Sequence, residues 1–142
     1  MADDVDVRPF SLSDYQTAME LWRSSSGIGL SSADDLTKIE RYLLRNPGTS
    51  LVAESEDGIV AAVLAGHDGR RGFLYHLAVR ADWRGRGLGT RLTNEACALL
   101  AERGIAKCHV LVYADNTAGH DFWESHGWRR REEIIVYSRD LL

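Results

Sequence analysis

Residues 84–89 read Arg84-Gly85-Arg86-Gly87-Leu88-Gly89, placed where a β-prone run gives way to a helical one. Upstream, 73–79 is aromatic and branched, the composition of a strand. Downstream, Leu88, Leu92, Ala96 and Leu99 recur at spacings of four and three, the buried stripe of a helix that Gly104 would stop as a C′ residue. Strand, glycine loop, helix leaves few folds open. Glycines at 85, 87 and 89 let backbone N–H groups turn outward at the positive end of the helix dipole, where a pyrophosphate or similar anion binds. Arg84, Arg86 and Arg91 add charge beside them. A turn that merely connects two elements is the other reading of the same residues. Two phosphate loops are excluded: Leu92 stands where a dinucleotide fingerprint needs its third glycine, and no G-K-[ST] exists for a Walker loop.

The elements around this loop can be read from periodicity. Val5 and Val7 alternate with Asp4, Asp6 and Arg8 up to Pro9, a short first strand. Ser11-Leu12-Ser13-Asp14 has capping-box spacing, and Tyr15, Met19, Leu21 and Trp22 give 12–24 a helical apolar face. Residues 24–32, almost all Ser and Gly, read as a mobile loop. A second helix over 33–45 sets Leu36, Ile39, Leu43 and Leu44 on one side and ends before Asn46-Pro47-Gly48. Strands 51–55 and 59–65 form a hairpin about Glu56-Asp57-Gly58. A fifth strand over 108–113 leads to Asp115-Asn116-Thr117, the cap of a short helix reaching about His126 with Gly127 just beyond, and Ile134-Ile135-Val136-Tyr137 reads as a last strand.

With 142 residues, 44% of them apolar, the chain reads as one domain, 1–142, with an ample core. Seventeen Lys and Arg against 21 Asp and Glu, a net charge of −4, argue against a surface that tracks nucleic acid. The arginines are concentrated: Arg80, Arg84, Arg86 and Arg91 fall within 80–91 beside Asp82 alone, so a basic loop sits on an acidic body. Cys97 and Cys108 have neither C-x-x-C spacing nor a His partner, so they read as small thiols in a reducing compartment and no metal site is expected. No apolar run has the length of a membrane span and the start is acidic and polar, which reads as a cytoplasmic protein with no membrane partner.

Arg84-x-x-Gly87-x-Gly89, preceded by Leu77-Ala78-Val79 and followed by Asn116 and Phe122-Trp123-x-x-x-Gly127-Trp128, resembles the GNAT superfamily of acyl-CoA-dependent N-acyltransferases. The resemblance covers essentially the whole chain and is nearest to small bacterial members related to the ribosomal-protein N-terminal acetyltransferases. It implies an α/β (α+β) fold with a mixed central sheet of about six to seven strands, splayed between strands 4 and 5, and about four helices. It implies acetyl-CoA as cofactor. The backbone of Arg84, Gly85, Arg86, Gly87, Leu88, Gly89 and Thr90 would hold the coenzyme A pyrophosphate. Leu77, Ala78 and Val79 would pair with the pantetheine arm like a strand, through main-chain groups that the splay leaves without partners. Asn116 would bond the pantetheine from the other side of the split; a helix N-cap is its other, compatible role.

Acyl transfer to an amine needs a neutral amine, and a Lys-like amine with a pKa of about 10.4 is mostly protonated at neutral pH. In the family the group that removes the proton often sits on the strand before the glycine loop. Here Tyr75 and His76 stand there, and regular pleating puts them on opposite faces, so that one at most looks into the cleft. Histidine titrates in the useful range. Glu54 is a third candidate, acting through water. Many members also place a tyrosine seven residues after the asparagine to protonate the departing thiolate. Here that residue is Trp123, whose indole cannot supply a proton. Either no dedicated acid is needed, or Tyr113, His120 or water serves.

The expected function is N-acetyl transfer from acetyl-CoA to a primary amine of a small molecule or of a peptide or protein N-terminus, by direct attack on the thioester. A non-catalytic acyl-CoA-binding sensor is the alternative that Trp123 raises. The acceptor would lie over the first two helices and loop 24–32. After Gly127 only a short tail remains, so the sheet could end one strand early and leave an edge for a second copy of the chain, a homodimer.

Overall fold

The computed structural model describes residues 4–142. In chain order the strands are β1 (Asp6–Pro9), β2 (Leu51–Ser55), β3 (Gly58–His67), β4 (Gly72–Val79) and β5 (Cys108–Val110). The helices are α1 (Tyr15–Arg23), α2 (Leu36–Arg45), α3 (Leu88–Glu102) and α4 (Thr117–Ser125). Two compact units divide the chain, one ending at Leu111 and one beginning at Val112. The first contains a single mixed sheet in the order β1-β2-β3-β4-β5, antiparallel except for the parallel pair β4–β5.

β3 is the centre of this sheet because it is apolar on both faces: Val60, Ala61, Ala62, Val63, Leu64 and Ala65 are all buried. A strand with no polar face requires a layer on either side. Ala62 and Leu64 join Val52 and Ala78 in a cluster with Phe10, Ala18, Met19, Leu21 and Trp22 from around α1 and Ile39 from α2. The alternate residues look the other way, toward the side on which α3 packs with Leu88, Leu92, Ala96 and Leu100 buried. The β2–β3 hairpin closes as its residues predict, with Gly58 at φ +91°. Gly66 in β3 is needed for space: a Cβ there would lie 2.6 Å from Tyr42 Oη and 2.7 Å from the Asn46 carboxamide, which also accepts the His67 N–H at 3.0 Å.

The capping box read at Ser11–Asp14 is present but caps a 3-10 turn, Leu12–Asp14, that precedes α1. A second such turn, Ser32–Asp34, precedes α2. It ends the Ser/Gly loop, which is anchored through Ile28 and Leu30 on the core rather than left loose. α2 buries less than its periodicity suggests: Ile39 is shielded while Leu44 is 76% exposed.

Among the described residues the sheet has five strands, which corrects the expected six to seven. Ile134-Ile135-Val136-Tyr137 has strand composition, yet it forms no strand and all four side chains are exposed. The Ile134 N–H instead closes a local turn onto Arg131 O at 3.2 Å. Branched residues favour a pleat only when a neighbouring strand supplies the ladder. β5 is likewise three residues long, not six.

The second unit holds α4. Asn116 Oδ1 accepts the Gly119 N–H at 3.0 Å as its N-cap. At the other end Gly127, at φ +85°, allows Trp128 N–H to reach Trp123 O at 3.0 Å and Gly127 N–H to reach Glu124 O at 3.4 Å, a Schellman closure. No helix among the described residues is long and apolar enough to cross a membrane.

Candidate functional site

β4 pairs with β5 only from Gly72 to Leu74, opposite Cys108 to Val110, and then continues alone on that side to Val79. Among the described residues no strand pairs with its main chain on that side from Tyr75 onward, which is the splay expected between strands 4 and 5. On the opposite edge the register with β3 slips. Ala62 faces Ala78 but Leu64 faces Tyr75, so β4 holds one residue more than β3 across this stretch. His76 absorbs that bulge at φ +56°, where a side chain is rarely found.

The bulge overturns the expectation that Tyr75 and His76 look to opposite faces. Tyr75 stacks on Phe73 with centroids 5.9 Å apart and meets the edge of Tyr42, from α2, at 6.4 Å. The His76 imidazole lies 5.0 Å from the Trp22 ring of α1, and its Nε2 is 2.7 Å from Asp34 Oδ1. Both side chains therefore turn toward the α1–α2 layer. Burial pushes the Tyr75 phenol up, and it pushes Tyr42 up further. Glu54 is occupied elsewhere: Arg8 Nε donates to its Oε1 at 3.1 Å, while the same guanidinium grips Asp14 at 2.8 and 2.9 Å.

After β4 a 3-10 turn, Ala81–Trp83, buries Trp83 and delivers the glycine loop. Gly85 and Gly87 have φ of +76° and +82°, with nothing within 4 Å of where a Cβ would stand, so conformation rather than space demands glycine. Gly89 has no positive φ and lies in the first turn of α3, so two of the three glycines, not all three, bend the backbone. Gly87 is the N-cap of α3 and offers no side chain to the helix's first N–H groups. Those of Leu88 and Gly89 emerge at the positive end of the dipole, the arrangement that receives an anion.

The arginines around this loop are held individually. Arg84 Nε donates to Val79 O at 3.0 Å, and the Arg86 guanidinium lies 4.3 Å over the Trp83 ring. Arg80 is bound to Asp82 and Asp57. Arg91 reaches Val5 O at 3.3 Å and Glu95 at 3.3 Å, so it ties α3 to the start of the chain instead of adding charge to the loop.

In the second unit Trp123 packs between Phe122 and Trp128 at centroid distances of 5.0 and 4.9 Å. His120 Nε2 lies 3.0 Å from Tyr113 O, which commits it to the loop before α4. The Asn116 oxygen is spent on its cap, leaving the amide hydrogens. Asp34 and Trp22 are the residues that reading the sequence for function missed. Ser31-Ser32-Ala33-Asp34 has the spacing of a capping box, a signal that would have marked Asp34 as inward-turned. Cys97 and Cys108 are free, and hydrogen bonding to Cys97, together with burial, pushes Cys108 up. Among the described residues no three or more His, Cys, Asp or Glu side chains converge as a metal site.

Residues 15–128 match the model of the acetyltransferase (GNAT) family. An acetyltransferase of Yersinia enterocolitica is 32% identical over 135 residues, 95% of each chain. The fold is that of the aminoglycoside acetyltransferase AAC(6')-Iy, solved with a bisubstrate analogue joining coenzyme A to acetylneamine. That match has a TM-score of 0.74 at 16% identity and covers 96% of this chain and 99% of the other. It is also that of the PaiA N-acetyltransferase of Thermoplasma acidophilum, solved with coenzyme A, at a TM-score of 0.73 and 19% identity, covering 87% and 88%.

Proposed function

Because the chain belongs to the GNAT family of acetyltransferases and is an acyl-CoA-dependent acetyltransferase, we propose that it transfers an acetyl group from acetyl-CoA to a primary amine. The acceptor is a small molecule or a peptide or protein N-terminus, and the amine attacks the thioester directly. One observation carries this reading. The unpaired edge of β4 is followed, after the single 3-10 turn Ala81–Trp83, by a loop whose two left-handed glycines start α3 with no capping side chain. An extended arm ending in a pyrophosphate matches that sequence of features: amides along the arm, anion at the helix start.

Residue by residue, the backbone of Arg84, Gly85, Arg86, Gly87, Leu88, Gly89 and Thr90 holds the pyrophosphate. Leu77 pairs with the pantetheine amides through the free edge, whereas the main chain of Ala78 faces β3 opposite Ala62, as that of Arg80 does in donating to Val60 O at 2.7 Å; the Val79 carbonyl is already held by Arg84, so Val79 offers at most its N–H. Acetyl-CoA supplies an activated acyl group and a thiol whose pKa of about 8.5 lets it depart near neutrality. His76 takes the proton of the attacking amine. Tyr75, whose phenol burial pushes up, lines the acceptor side. Trp123 has no proton to give, and none is required of it. A basic loop on an acidic body suits an anionic cofactor and a cationic acceptor. The exposed run Ile134–Tyr137 supports a homodimer in which a second copy covers it.

The test is thiol release by purified protein given acetyl-CoA and a panel of small amines and N-terminal peptides. Amine-dependent release that is lost in His76→Gln is expected. Absence of release across the whole panel overturns the reading.

A further inference from the structure

His76 is gripped more firmly than a histidine at the edge of a cleft needs to be. Its Nε2 lies 2.7 Å from Asp34 Oδ1, with the two side chains only 15% and 7% exposed. The Trp22 ring packs on the imidazole at 5.0 Å. Asp34 is itself fixed from three directions. Its Oδ2 accepts the Ser31 N–H at 3.0 Å, its own N–H donates to Ser31 O at 3.0 Å, and its carbonyl accepts the Tyr15 hydroxyl at 2.6 Å. The backbone of His76, at φ +56°, is held in a conformation that a side chain rarely adopts. A carboxylate accepts hydrogen bonds and cannot donate one, so the proton between Asp34 and His76 belongs to Nε2. Nδ1, which makes no hydrogen bond among the described residues, is then the ring's basic atom.

We propose that Asp34 is a positioning residue for acyl transfer, holding His76 in the Nε2–H tautomer so that Nδ1 is the atom that receives the amine's proton. This rests on the reading of His76 as base. Asp34→Asn isolates the role because the Ser31 N–H dictates how the amide must sit. The carboxamide oxygen has to take the place of Oδ2, and the NH₂ is left facing His76. An NH₂ donates to Nε2 and so forces the proton to Nδ1, removing the acceptor with little change of shape. The same logic, a wrong tautomer with intact geometry, governs carboxylate-to-amide changes beside catalytic histidines elsewhere.

Two measurements decide it. Long-range ¹H–¹⁵N spectra of the protein alone, with the His76 signal identified by its absence in His76→Gln, should show Nε2–H in the native protein and Nδ1–H in Asp34→Asn. In the thiol-release assay Asp34→Asn should lose ~100-fold in kcat, the scale of general-base catalysis, with the KM for acetyl-CoA within about twofold of native. An Nδ1–H tautomer in the native protein overturns the proposal without any Asp34 variant, so a variant that failed to fold would not protect it. Native-like kcat in Asp34→Asn beside an inactive His76→Gln overturns the role of Asp34 and leaves His76 as the base. Full activity in His76→Gln overturns the base assignment and this proposal together.

Discussion

Gly87→Ala separates two consequences of one backbone conformation. Gly87 sits at φ +82° at the start of α3, and Gly104 sits at φ +84° just past the other end of the same helix; neither has an atom within 4 Å of where a Cβ would be. Both alanine variants thus meet the same left-handed penalty, about 1–2 kcal/mol, with no clash. For a chain of this size that corresponds to a fall in Tm of about 3–8 °C. They differ in what the strained residue serves. If Gly87→Ala relaxes, the N–H groups of Leu88 and Gly89 rotate away from the anion, and each hydrogen bond to a charged group is worth roughly 1.5–3 kcal/mol. Losing one weakens coenzyme A binding by about tenfold or more. Gly104→Ala has no such groups to misdirect. Melting curves and isothermal titration with coenzyme A on both variants test this. Similar Tm losses with weakened binding in Gly87→Ala alone are expected. Equal binding in the two variants, whether both native-like or both weakened, would refute the placement of the pyrophosphate at α3.

Gly66→Ala should cost about 2–4 kcal/mol in urea unfolding, because its Cβ must displace Asn46 and orphan the His67 N–H that Asn46 accepts; a loss under 1 kcal/mol would mean that the α2 end yields freely. Burial raises the Asp14 carboxyl, but the Arg8 guanidinium and the Ser11 N–H outweigh it and hold the group below the usual carboxylate range. A depressed folded-state value gives stability that is present above the unfolded pKa, about 3.9, and lost as pH falls through the folded value. Asp14→Asn should therefore flatten the acid limb of a stability–pH curve, and an unchanged limb counts against the pair. In multi-angle light scattering the native protein should elute as a dimer, and Ile135→Glu, at a residue 78% exposed, should shift it to monomer without lowering Tm; a native monomer removes the homodimer.

The glycine loop was legible in the sequence because its determinants are local. Positive φ at Gly85 and Gly87, an uncapped helix start and a branched strand ahead of it are properties of the residues themselves, and the structure has all three. The last strand was not legible for the complementary reason. Ile134-Ile135-Val136-Tyr137 satisfies every local preference for a pleat, but strand formation also depends on which edge is available, a property of distant chain. Arg91 illustrates the same limit on a side chain. Its position in sequence put it with the cofactor loop, whereas its guanidinium found Val5 O, 86 residues away, and Glu95 one helical turn on.

The bulge at His76 matters most for chemistry, and it shows how one inserted residue converts a strand into a site. In a regular pleat Tyr75 and Ala78, an odd number of residues apart, would lie on opposite faces of β4. The slip against β3 brings Tyr75 opposite Leu64 and Ala78 opposite Ala62, and Leu64 and Ala62 belong to the same buried cluster beside α1 and α2. His76, at the slip, is thereby free of the alternation and can meet Trp22 and Asp34 on that same side. The bulge lies on the β3 edge of β4, while the main-chain groups that a ligand arm would use lie on the other edge, left open where β5 ends, so the arm's partners and the side chain that would take the amine's proton come from two neighbouring irregularities of one strand. A deletion of Leu77 that restored regular pairing would be expected to keep the sheet and abolish transfer, since Tyr75 and His76 would return to opposite faces.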